Sequence, residues 1–159
     1  MTLLKFIFSI FISFLPGLLG VIVTPISTGG NMWYNTLNHS TLTPAGWVFS
    51  GVWTVLYFFM GLALFFIMQT PTGRNQYIKT KAYILFAINL VLNTLWSFAF
   101  FGWQMPDIAL IILAALIITV VFMAREFFKI NQPAFWFIVP YVLWLCFAFY
   151  LNWMIIYLN

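Results

Sequence analysis

Five apolar runs take up most of this chain, and each is long enough to cross a bilayer. They extend from Phe6 to Val23, Trp47 to Met68, Ala82 to Trp103, Ile108 to Met123 and Phe135 to Leu158. An α-helix rising about 1.5 Å per residue needs roughly 20 residues to cross about 30 Å of hydrocarbon. With 65% hydrophobic and 5% charged residues among 159, a soluble surface cannot be built around one core. The predicted fold class is all-α, an integral membrane bundle of five transmembrane helices. It forms a single domain, residues 1–159, with the first loop, residues 24–46, as a lid.

Proline placement supports these cuts. Pro25, Pro44, Pro71, Pro106 and Pro133 fall between runs, where a missing N–H does least harm, and only Pro16 and Pro140 lie inside. Lys5 precedes the first run, Arg74, Lys79 and Lys81 lie between the second and third, and Arg125 and Lys129 between the fourth and fifth. In a five-pass chain these segments share a side. The positive-inside rule then places the N-terminus in the cytoplasm, for a bacterial inner membrane, with an organelle outer membrane as the eukaryotic counterpart. Lys5 and the apolar stretch after it could open a signal peptide, but the apolar character continues through Val23 without a small-residue cleavage site, so the run is read as retained.

The net charge of +4 comes from basic residues thinly spread over helix ends, with no basic stripe beside a reading surface, so no nucleic-acid partner is expected. Catalytic signals are weak. His39 is the only histidine, Cys146 the only cysteine, and Asp107 and Glu126 the only carboxylates, both at span ends. No nucleophile with its base, no paired acids and no metal-ligand cluster can be assembled from these. Glu126 beside Arg125 and Lys129 reads as an interfacial charge cluster.

The informative polar residues recur at helical spacing. Asn89, Asn93 and Ser97 lie four apart with Trp96 beside them, on one face that should avoid hydrocarbon and turn inward. They suit two roles, as hydrogen-bonding glue between helices or as part of a ligand site. The second run repeats the spacing with Phe49, Trp53 and Tyr57, and the fifth with Trp144, Ala148 and Asn152. Three such faces could enclose a flat apolar cavity with a few fixed polar contacts. Trp33, Trp47, Trp103, Trp136 and Trp153 sit near span ends as an interfacial belt, whereas Trp53, Trp96 and Trp144 sit deeper.

These residues fall into recognisable blocks. Trp33-Tyr34-Asn35-Thr36-Leu37, Thr43-Pro44-Ala45-Gly46-Trp47-Val48-Phe49, Val52-Trp53, Leu56-Tyr57 and Met60-Gly61 resemble the signature of the TspO/MBR family, the translocator proteins or peripheral-type benzodiazepine receptors. Asn93, Trp96 and Phe100-Phe101-Gly102 agree, as do Pro140-Tyr141, Trp144, Phe147-Ala148 and Leu151-Asn152. The resemblance runs from about Trp33 to Asn152.

It implies a five-helix bundle, often a homodimer, whose pocket opens toward the first loop. It further implies binding of protoporphyrin IX, haem and benzodiazepine-type ligands, with no required cofactor beyond the porphyrin or haem bound as ligand. The implied pocket comprises Phe49, Trp53, Tyr57, Asn93, Trp96, Trp144, Phe147 and Ala148, with Trp33, Tyr34 and Trp47 as lid. His39-Ser40 and Ala45 depart from the family pattern of Lys-Pro and Pro-Pro, which implies a looser lid. No Lys or Arg follows Lys129, so the sterol-type pattern cannot be completed near the C-terminus. The expected function is a membrane receptor or sensor for porphyrins. The alternatives are transport of such ligands, or their light- and oxygen-dependent degradation with Trp53 and Trp144 as reactive indoles.

Overall fold

The structure, a computed structural model, describes residues 2–23, 32–71, 73 and 76–159. In chain order, the helices are α1 (Thr2–Gly20), a short α2 (Met32–Thr36), α3 (Gly46–Gln69), α4 (Gln76–Ser97), α5 (Pro106–Ile130) and α6 (Gln132–Leu158). A π-helical turn, Phe98–Gly102, extends α4. All except α2 are long and apolar enough to cross a membrane. Thr24 to Asn31, with Pro25, and Arg74 lie outside the described residues.

Several helices outrun their apolar cores. α4 begins at Gln76 rather than Ala82, and α5 ends at Ile130 rather than Met123. The added residues include Gln76 and Lys81, exposed unbranched polar side chains that favour helix where water can reach them. Pro106 and Pro133 do not fill connections as the sequence suggested. They occupy the first turns of α5 and α6, where the absent N–H would have had no partner. Asn131 caps α6, its side chain accepting from the Ala134 N–H at 3.1 Å.

The long helices close into a ring in the order α1, α3, α6, α5, α4 and back to α1. Around one end the ring is solid. Met60, Ile67, Leu116, Val120, Met123 and Phe127 are fully buried there. Gly61 lets α1 approach α3, since a β-carbon on it would stand 2.9 Å from Cα of Ile10.

Basic side chains rim this solid end. Lys5 Nζ donates to the Met68 carbonyl at 3.2 Å and Lys79 Nζ to that of Thr70 at 2.6 Å, so both serve carbonyls that the end of α3 leaves open. Glu126 is buried and takes Lys81 at 3.0 Å and Lys129 at 2.8 Å. Its cross-helix partner is thus Lys81, which the sequence could not pair with it, and not the adjacent Arg125, which is exposed.

Candidate functional site

The other half of the ring is hollow. A cavity of about 670 Å³ lies between α1, the first loop, α3, the end of α4 and α6. No residue of α5 lines it. Small residues on α1 let it close against the neighbouring walls: a β-carbon on Gly17 would meet Cε2 of Tyr57 at 2.7 Å, and one on Gly20 would meet the Ser97 hydroxyl at 2.8 Å.

One wall is a run of rings. Trp53 stacks on Trp96 with centroids 6.0 Å apart and planes at 26°, and Trp96 on Phe100 at 5.8 Å and 26°. Tyr57 adjoins Trp53 at 5.4 Å. Trp96 is held in place because its Nε1 donates to Oδ1 of Asn152 at 3.2 Å, while Nδ2 of Asn152 donates to the Pro106 carbonyl at 2.9 Å. The π-helical turn follows directly. Trp103 N–H reaches the Phe98 carbonyl at 2.8 Å, and Gln104 takes a left-handed φ of 57° to turn the chain into α5.

The floor is polar. Tyr57 Oη donates to Oδ1 of Asn93 at 3.1 Å, and Nδ2 of Asn93 donates to Oη of Tyr141 at 2.7 Å. Asn93 and Tyr57 are both buried, and both line the cavity. The asparagine stripe therefore does bind helices together, and it also borders the hollow.

The first loop covers the mouth. The Tyr34 ring lies 6.0 Å from Phe100 and 5.7 Å from Phe101, and Trp33 lies 5.9 Å from Phe100. Burial pushes the Tyr34 hydroxyl above its ordinary pKa. His39 packs on Tyr34 at 4.6 Å, with Nε2 3.0 Å from the Tyr34 carbonyl. The loop is latched to the end of α6: Asn38 N–H donates to Oδ1 of Asn159 at 2.8 Å, and Nδ2 of Asn159 donates back to the Asn38 carbonyl at 3.1 Å. Ser40 and Tyr150 add a hydroxyl pair at 3.1 Å.

A cavity walled by stacked indoles and bordered by the first loop, in a ring of five long apolar helices, invites comparison with known proteins. The sequence profile of the TspO/MBR family matches residues 9–158. This chain belongs to the TspO/MBR family. It is 39% identical to the tryptophan-rich protein TspO of Chlorobaculum tepidum over 127 residues, 80% of this chain and 79% of that one. It is 32% identical to the protein of the same name from Archaeoglobus fulgidus over 159 residues, 100% and 99% of the two chains. The tryptophan-rich sensory protein of Cereibacter sphaeroides is 34% identical over 139 residues, 85% and 84%.

Within this TspO/MBR chain, Phe49, Trp53, Tyr57, Asn93, Trp96 and Ala148 meet around the one cavity. Tyr34 and Trp47 border its mouth, whereas Trp33 packs behind the rings on Phe100. Trp144 and Phe147 are placed differently from the pocket the resemblance implied. They line a separate groove of about 510 Å³ between α3 and α6, with Gly51, Val52, Leu56 and Pro140. The reason is helical: each step of four residues turns about 40°, so Trp144 lies roughly 80° around α6 from Asn152. Trp144 meets the cavity lining at Phe49, with ring centroids 5.6 Å apart.

Sequence reasoning put Asn152 on a cavity-facing stripe without naming it a ligand contact, and did not place Phe100, Phe101 or the α1 residues Phe14, Gly17 and Gly20 in the site; all line it. Asn152 had a signal in its four-residue spacing. α1 contributes both a side chain, Phe14, and the close approach that Gly17 and Gly20 permit.

Proposed function

We propose that this protein is a membrane receptor or sensor that binds porphyrins, such as protoporphyrin IX or haem, and similar flat hydrophobic ligands. The observation that carries the reading is the near-parallel run Trp53, Trp96, Phe100 along one wall of the cavity. Rigid rings offer a large apolar face at little entropic cost, and a pocket of this volume falls within the roughly 300–1,000 Å³ of sites that bury small ligands. Polar contacts are few and fixed. Trp53 is buried at the cavity, and its indole N–H has no acceptor among the described residues, so an acceptor on a ligand would relieve an unpaired donor.

Entry proceeds beneath the first loop, whose latch at Asn38 and Asn159 opens to admit the ligand. The N-terminus and the basic rim lie on the cytoplasmic side of a bacterial inner membrane, which places the cavity mouth on the opposite face. The protein works as a homodimer or a monomer with the same internal site. The test is titration of the detergent-solubilised protein with protoporphyrin IX, followed by tryptophan quenching. A saturable one-to-one curve that weakens at least about fivefold in Trp96→Ala is expected, on the scale of one lost aromatic contact. A linear, unsaturable curve, or one unchanged by the substitution, would remove the proposal.

A further inference from the structure

We infer that Asn89, which does not line the cavity, governs whether the cavity floor offers a ligand a hydrogen-bond donor or an acceptor. This rests on the reading of the cavity as a ligand site. Four side chains form one unbranched line. Tyr57 Oη donates to Asn93, Asn93 to Tyr141, and Tyr141 Oη to Oδ1 of Asn89 at 2.9 Å. All four are buried, and Nδ2 of Asn89 has no partner among the described residues. One end of the line, Tyr57, borders the cavity, and the other is sealed inside the bundle.

Every member can both donate and accept, so the line can run in either direction. Turning over both amides and rotating both hydroxyls keeps the three contacts and exchanges their donors and acceptors. Tyr57 and Tyr141 share the amide of Asn93, so when one hydroxyl donates to it the other accepts from it. In the direction the structure records, the Tyr57 proton goes to Asn93, leaving only lone pairs for a ligand. In the reverse direction Asn93 supplies the proton and the Tyr57 O–H is free to donate into the cavity.

Asn89 balances the two states. One leaves both of its N–H bonds unpaired, the other its carbonyl and one N–H, and each contains three bonds. Neither direction is favoured by bond count, so a ligand selects the one that serves it, by differential affinity for two states of similar energy. Ligands carrying a carboxylate or carbonyl draw the line one way, and ligands carrying an N–H or O–H the other.

Asn89→Leu breaks the balance. Tyr141 then has no acceptor except Asn93, and the line is held with Tyr57 donating to the cavity. The first measurement needs no ligand: isotope-edited infrared spectroscopy of the full chain with ring-labelled tyrosine, the Tyr57 C–O band being assigned by difference against Tyr57→Phe. In Asn89→Leu this band moves from the position of a donating phenol to that of an accepting one. In a Tyr141→Phe background, where the line is cut, the same substitution leaves the band in place.

The second measurement uses matched probes, 2-aminoanthracene as donor and 2-acetylanthracene as acceptor, each competed against protoporphyrin IX. Asn89→Leu weakens the amine about tenfold relative to the ketone, the scale of leaving one buried hydroxyl unpaired. Asn89→Val carries both tests if the leucine variant does not fold. An unmoved Tyr57 band, or equal losses for the two probes, overturns the inference. If the band moves but protoporphyrin IX displaces neither probe, the line stands and the porphyrin reading falls.

Discussion

Gly17 presses against the ring of Tyr57, with a β-carbon built on the glycine standing 2.7 Å from Cε2. That contact lets α1 border the cavity while Tyr57 still reaches Asn93. Gly17→Ala therefore drives the ring away and strains the hydrogen bond to Asn93. Overpacking of this kind costs about 1–3 kcal/mol. Thermal unfolding in detergent should register the loss, and protoporphyrin binding should weaken with it. Gly51 provides the contrast, because nothing lies within 4 Å of its added β-carbon. Gly51→Ala should hold or gain up to about 1 kcal/mol, as expected of alanine in a helix.

Trp96 and Trp144 should separate by titration. Trp96 lies in the wall and Trp144 beyond Phe49, in the outer groove. Trp96→Ala removes a stacking face and also frees Oδ1 of Asn152, so it should cost at least about 1 kcal/mol of porphyrin affinity. Trp144→Ala should cost measurably less. Equal losses would show that the groove and the cavity act as one site.

The latch between Asn38 and Asn159 predicts a kinetic effect. Two backbone-to-side-chain bonds join Asn38 to Asn159, beside the Asn38 amide on the Leu158 carbonyl and the Ser40–Tyr150 pair, and both are exposed to water and so individually worth about 1 kcal/mol or less. Asn159→Ala should leave the unfolding temperature nearly unchanged and raise both the on- and off-rates of protoporphyrin several-fold, as read by stopped-flow quenching. An unaltered off-rate would mean that the loop does not gate release.

Glu126 ties α4 to α5 through Lys81 and steadies the end of α5 through Lys129. Its side chain is only 3% exposed, whereas those of the lysines are 45% and 39% exposed. Glu126→Gln should therefore destabilise by about 1–3 kcal/mol, less than for a fully buried pair because water can reach both cations. Ligand affinity should not change, since the cluster lies at the solid end. A lowered unfolding temperature with unaltered titration is the expected combination.

Gln104 stands at φ 57°, in the left-handed region, as the chain turns from α4 into α5. A non-glycine residue there carries about 1–2 kcal/mol of strain. Gln104→Gly relieves it, offset partly by the greater freedom of glycine in the unfolded chain. A rise in unfolding temperature is expected, with a fall indicating that the Gln104 side chain contributes contacts that outweigh the strain.

What the sequence by itself determined follows from the solvent. In hydrocarbon every backbone polar group must be satisfied within its own helix, so five apolar runs of sufficient length dictated five spans. The same pressure turned Asn89, Asn93 and Trp96 inward, and the four-residue spacing announced it. Spacing could not say which helix faces which, because neighbour relations depend on side chains meeting across a ring. Gly17, Gly20, Gly61 and Gly102 carry no signal of what they pack on, and only the structure sets each against an atom of its own chain. Trp144 is the clearest case. Its spacing matched Ala148 and Asn152, yet the drift of the helix carries it to the outer groove while they face the hollow. The tertiary structure alone decided that the ring is solid at the basic end and open at the other. α1 closes one side of that opening by packing its glycines directly on Tyr57 and Ser97, and no single helix encodes the space left among several.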